Sequence, residues 1–198
     1  MRRSVPALLA LLGGCVASAE REARERQKDG GYLELRQVVP GAKLRAGLAL
    51  DSLQRLIASA DRAFAASYDA FLEDLRAMDE SAALVRARAS ELRARRGELD
   101  ARISGVGSEE RRAAAVAALA TLRTRADAAR DAFAPFQAAL HDCRAILQAR
   151  PAADVATSLH EEAARIAGLS RALGAALDGV SVALDELHEE LKLAGLTK

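Results

Sequence analysis

From Ile57 to Ile103 the chain reads IASADRAFAASYDAFLEDLRAMDESAALVRARASELRARRGELDARI. Within it Ile57, Phe64, Phe71, Met78, Val85, Leu92 and Leu99 recur at every seventh residue, and Leu50 extends the row backwards. Four residues after each lies a weaker row of Tyr68, Leu75, Ala82, Ala89 and Ile103, interrupted at Asp61 and Arg96. A 4-3 seam of this kind is made by a helix that packs on other helices along its length. No Pro lies between Pro40 and Pro135, so the stretch from Lys43 to Ile103 can form one helix. It would hold about 60 residues and be about 90 Å long.

Working outward, Ser104-Gly105-Val106-Gly107 is a turn. Ser108 is a good N-cap for a second helix, with Glu109 and Glu110 in its first turn. That helix carries Leu119, Ala126, Phe133, Leu140 and Leu147 in one row and Leu122, Ala129, Phe136 and Cys143 in the other. Pro135 falls between seam positions, so it predicts a kink rather than an end. Arg150-Pro151 closes helix two, and a third helix starts near Ala152 or Asp154. Its rows are Ile166, Leu173, Val180 and Leu187, with Leu177, Leu184 and Leu191. Gly168, Gly174 and Gly179 make it dependent on packing, and Gly195 terminates it.

The expected fold is therefore all-α: an extended antiparallel bundle, in coiled-coil fashion, of three long helices. Helix one is longer than its partners by a third. Either it overhangs them, or it breaks near Ser81 or Gly97 and folds back to give four helices. Composition agrees with long helices: aromatics are 3%, Trp is absent, and Ala dominates the 51% of hydrophobic residues.

The first residues read as an address. Met1-Arg2-Arg3 is a basic n-region and Val5 to Leu12 a short apolar run, too short for the 20 or so residues of a membrane span. No uninterrupted apolar helix is expected after residue 20 either. Leu12-Gly13-Gly14-Cys15 resembles a bacterial lipobox. The resemblance implies diacylglyceryl transfer to the Cys15 thiol and cleavage before Cys15. A competing site, Ala17-Ser18-Ala19, would release a soluble protein beginning at Glu20. Residues 1–14 are thus expected to be a signal peptide, 15–41 a tether ending at the Pro40-Gly41 break, and 42–198 the helical domain. Val16 is not Asp, which by the sorting habit of enteric bacteria favours the outer over the inner membrane. The formal net charge is +1 from 29 basic and 28 acidic residues, and losing Arg2 and Arg3 leaves 27 against 28. Such a balance argues against nucleic acid as a partner.

Phe133 to Leu159 (FAPFQAALHDCRAILQARPAADVATSL) resembles a stretch of the bacterial domain-of-unknown-function family 2959. The matching positions are Pro135, Ala138, Ala139, Leu140, Asp142, Leu147, Ser158 and Leu159. The chain departs from the family at Gln148-Ala149-Arg150-Pro151-Ala152 and lacks a Gly-rich break in its first long helix. The resemblance covers about half the chain and rests mostly on helix-packing residues. It implies a helical, envelope-associated bacterial protein with no assigned activity.

Cys15 carries the one specific chemical expectation, lipidation. In His141-Asp142-Cys143, adjacent helical side chains point about 100° apart and cannot converge on one ion. Cys143 lies on a seam and reads as a small buried apolar residue. His160-Glu161-Glu162 and the i, i+3 pair Asp185 and His188 have spacings used in helical metal sites, but the other seams offer no matching carboxylates. Arg93, Arg95, Arg96, Arg102, Arg111 and Arg112 surround the first turn. They either pair with Glu91, Glu98, Asp100, Glu109 and Glu110 or form a basic tip for anionic headgroups. No phosphate loop, nucleophilic triad or zinc-type Cys pair is present in the sequence. The expectation is a non-enzymatic protein with no metal and no cofactor. Its partners are the membrane, through the lipid, and a protein or a second copy of itself, with no small-molecule substrate.

Overall fold

The computed structural model describes residues 31–59 and 63–197. Every regular element among them is an α-helix, so the protein is all-α. In chain order these are α1 (Tyr32–Ile57), α2 (Phe64–Ala94), α3 (Arg96–Ser104), α4 (Glu109–Ala149), α5 (Ala153–Ser158) and α6 (His160–Leu193).

Helix α1 starts ten residues before the expected domain boundary. Gly31, at φ 81, turns the chain into it, and Pro40 and Gly41 lie inside it rather than breaking it. Pro40 removes one helical hydrogen bond. The helix persists because Tyr32, Leu35, Val39, Ala46, Ala49, Leu53 and Leu56 are buried along one side. Ser52 is the one fully buried polar residue among the described residues, and its hydroxyl donates to the Ala49 carbonyl at 3.1 Å.

The expected single helix over Lys43–Ile103 is not formed. It breaks after Ile57, well before either proposed site, and α2 runs unbroken through Ser81. The Ser59 hydroxyl donates to the Leu56 carbonyl at 2.7 Å and helps close the end of α1. Ile57 ends α1 and Phe64 begins α2, so the seven-residue spacing between them spans the boundary of two helices. Near Gly97 only Arg95 interrupts the path. The Arg95 N–H donates to Glu91 O and the Leu99 N–H to Arg95 O, so the chain bends there without reversing.

Ser108 caps α4 as expected, its hydroxyl accepting from the Arg111 N–H at 3.4 Å. Pro135 stays within α4 on an exposed face. Arg150, held extended ahead of Pro151, ends the helix. What was read as the start of helix three is the separate short helix α5, joined to α6 at Leu159. Gly195, at φ 72, closes α6 in a Schellman arrangement: Leu196 N–H donates to Leu191 O and Gly195 N–H to Lys192 O.

Three helix pairs run antiparallel. Glu34 meets Arg88 and Arg55 meets Asp74 between α1 and α2. Tyr32 meets His188 and Lys43 meets Asp178 between α1 and α6. Arg111 reaches Leu193, and Arg125 lies over Gly179, between α4 and α6. The buried residues of all six helices form one apolar cluster. An 18-residue window of α6 has a mean hydropathy of 1.2, so by length and composition alone that helix could cross a membrane. Its Ile166, Leu173, Val180, Leu184 and Leu187 are buried in the cluster.

Candidate functional site

Cys15, the lipobox and the Ala17-Ser18-Ala19 site lie outside the described residues. What the structure does place are polar side chains at the edges of the seams.

Asp79, Gln137 and His141 meet between α2 and α4. The Gln137 amide donates to Asp79 Oδ1 at 2.6 Å, and His141 Nε2 lies 3.1 Å from Asp79 Oδ2. Close by in sequence, the Arg86 guanidinium sits 5.9 Å above the Phe133 ring. The sequence reading missed this group. A signal was available, because Asp79, Gln137 and His141 each follow a seam residue (Met78, Phe136 and Leu140) by one position. Such positions point along the seam's edge toward a neighbouring helix.

The pair Asp185 and His188 behaves in that way. Asp185 binds Arg36 at 2.6 Å and His188 Nδ1 shares a hydrogen bond with the buried Tyr32 hydroxyl at 3.0 Å, so both serve the α1–α6 contact. Adjacent residues of His141-Asp142-Cys143 diverge: His141 turns to α2, Asp142 is exposed and Cys143 is buried. Burial, reinforced by the charges of Glu162 and Asp142, pushes the Cys143 thiol up to about 11. It is therefore protonated and a poor nucleophile at neutral pH. Glu162 binds Arg165, whose hydrogen bonds hold its carboxyl below the usual range. His160 and Glu161 are exposed. Among the described residues no group of three or more His, Cys, Asp or Glu side chains could hold a metal ion.

The arginines around the first turn divide into two kinds. Arg102 donates to the Leu196 carbonyl, Arg111 to the Leu193 carbonyl at 2.7 Å, and Arg112 to the Val106 carbonyl at 3.5 Å. Arg111 satisfies a carbonyl left over in the last turn of α6 and Arg102 one just beyond it, where a cation is also favoured by the helix dipole. Arg96 pairs with Asp100 at 3.2 Å, one of the i, i+4 pairs expected. Arg88 bonds Glu91 at 2.8 Å and Glu34 at 3.0 Å, and the two carboxylates raise its pKa.

Between α1 and α6 the surface carries an open groove of about 540 Å³. Val39, Pro40, Leu44, Leu48 and Leu177 line it, together with the ion-paired Lys43 and Asp178. Leu44 is 63% exposed there.

The stretch 133–159 that carries the family resemblance forms the second half of α4, the turn and α5. Of its matching positions Ala139, Leu140, Leu147 and Leu159 are buried, whereas Pro135, Ala138, Asp142 and Ser158 are exposed. Comparison of the chain with family models, curated proteins and solved structures finds no match.

Proposed function

We propose that the protein is a non-catalytic bacterial envelope lipoprotein, held in the membrane by a lipid on Cys15 and facing the periplasm. Its body is an antiparallel four-helix bundle of α1, α2, α4 and α6 that acts as a structural or interaction scaffold. The observation that carries the anchoring is the run Leu12-Gly13-Gly14-Cys15 behind a basic start and a short apolar segment. The outer membrane is favoured by Val16.

The scaffold reading is supported by where the polar side chains are spent. Tyr32, Lys43, Asp79, Gln137, His141, Asp178 and His188 tie one helix to another. The antiparallel pairs of α1 with α2, α1 with α6 and α4 with α6, together with the Asp79 contacts between α2 and α4, support four helices arranged in a ring. A second reading is a soluble periplasmic binding module or holdase, released by cleavage after Ala19. The apolar groove beside Leu44 favours it.

The test is the intact mass of the mature protein from a bacterial host, beside a Cys15→Ala variant. The expected mass is that of a chain starting at Cys15 plus a diacylglyceryl group, absent from the variant. A mass starting at Glu20 overturns the anchor and supports the soluble module.

A further inference from the structure

We propose that the open groove between α1 and α6 is a docking surface for a second copy of this chain, whose α1 packs antiparallel on it about a two-fold axis at Gly47. The proposal rests on the interaction-scaffold reading, whose partner it names, and is independent of the lipid anchor.

Helix α1 has two seams. Its inner side is buried in the core, but its outer side carries Pro40, Leu44, Gly47 and Asp51 at successive spacings of four, three and four. All four line the groove, and Leu44 is the most exposed large apolar side chain among the described residues. A Cβ built on Gly47 would meet nothing within 4 Å, so packing inside the body does not call for glycine there. Glycine disfavours helix, and on an outer seam it lets a second backbone approach closely.

Charge selects the partner and its direction. Lys43 and Asp51 both line the groove, four residues before and four after Gly47. At about 100° per residue they are turned about 40° to opposite sides of Gly47. Lys43 is on the side of α6, where it binds Asp178 at 2.6 Å. A two-fold axis through Gly47 therefore lays Lys43 over the partner's Asp51, and Asp51 over the partner's Lys43. The Lys43 ammonium has three donors, enough for Asp178 and the partner's Asp51 together. The same axis carries Leu44 across to the α6 side of the other α1, into the groove. It also sets Arg55 at the level of the partner's Val39. That level lies between the two ion pairs of the α1–α6 contact, Lys43 with Asp178 and Arg36 with Asp185, so the arginine meets carboxylates there. A parallel arrangement would instead set Lys43 on Lys43 and Asp51 on Asp51. One surface thus supplies the knob, the hole and both charges, as a two-fold interface requires.

The experiment uses the full chain with Cys15→Ala, which carries no acyl group, in sedimentation equilibrium over a range of concentrations. The expected result is a monomer–dimer equilibrium with a dissociation constant of order micromolar. Leu44→Asp raises that constant about tenfold or more. Asp51→Lys, which sets a second cation against Lys43, raises it about two- to fivefold. Copper–phenanthroline oxidation of a Gly47→Cys variant gives a disulfide-linked dimer, because helices crossing at this position bring the two Cα atoms within the roughly 7 Å that a disulfide spans. Val116→Cys, on the exposed side of α4, does not, and neither does the parent, whose Cys143 is buried. Circular dichroism checks that each variant is folded. A monomer at every concentration, a dimer indifferent to Leu44→Asp or to Asp51→Lys, or equal cross-linking at Val116 overturns the proposal. A folded monomer whose binding of an apolar dye is lost in Leu44→Asp overturns it in favour of the soluble binding module. The anchor is judged separately by the mature mass. A diacylglyceryl mass on a monomeric body keeps the anchor and removes this interface. A dimer with a mass starting at Glu20 does the reverse.

Discussion

The two long helical hairpins are built from different material. Between α4 and α6 the buried set is rich in alanine, with Ala115, Ala118, Ala129 and Ala139 on one side and Ala163 and Ala183 on the other. The Arg125 side chain crosses from α4 to α6 there, and a Cβ on Gly179 would sit 3.3 Å from its Cδ. The α1–α2 hairpin instead buries large side chains, among them Leu53, Leu56, Phe71, Leu75 and Met78. Both also bury large side chains, Phe136, Leu140, Leu147 and Ile166 among them in α4 and α6, so the difference is one of proportion. At the large residues named in α1–α2 the threat is a cavity, and at the alanines of α4–α6 it is added volume.

Opposite substitutions sharpen this contrast first. Leu53→Ala should cost about 2–5 kcal/mol through the cavity it leaves, and Ala183→Leu about 1–3 kcal/mol through overpacking. Both are read from denaturant midpoints. An Ala183→Leu protein as stable as the parent would break the comparison, since α4 and α6 would then have room between them.

Next comes the thiol buried in the alanine-rich hairpin. Burial pushes the Cys143 thiol up to about 11, so above the ordinary thiol range the folded state keeps its proton while the unfolded chain loses it. The contribution is thus fully present below pH about 9 and is lost as pH rises toward about 11, by up to about 3 kcal/mol. Against a Cys143→Ala variant, the parent should lose more stability across that window. Parallel curves would mean that water reaches the thiol and that the hairpin is looser than its alanines suggest.

The smallest effect concerns α1. Nothing lies within 4 Å of a Cβ built on Gly41, so Gly41→Ala should stabilise the protein by about 0.5–1 kcal/mol through helix propensity alone. A destabilised Gly41→Ala protein in thermal melts would show that the helix around Pro40 needs the glycine.

The same two hairpins differ in how far they can be read from residues. In α4 and α6 nearly every seam position is buried, and Ser108, Gly195 and Pro151 mark real ends, because local chemistry and periodicity agree there. In the first hairpin periodicity misleads. The interval from Ile57 to Phe64 is one heptad whether the chain continues as helix or turns, so the row cannot register the break. Pro40-Gly41 misleads in the other direction: two residues that disfavour helix are overruled by the buried side of α1, which spans Tyr32 to Leu56. The arginine end was half legible. The i, i+4 pair of Arg96 with Asp100 follows from spacing, but the carbonyls that Arg102 and Arg111 meet belong to a segment more than eighty residues away. The ties at Asp79 escape a seam-centred reading because each partner stands one step off its row.

The carbonyls taken up by Arg102 and Arg111 also fix the topology of the ends. Residue 196 lies at the same end of the body as Gly31, while the turn after α1 lies at the other. A fluorescent tag added after the last residue would therefore report from beside Gly31 and not from the far tip. A circular permutant that joins the two ends and opens the chain between residues 59 and 63 would hang the same helices from their opposite end, inverting the molecule with respect to whatever holds it.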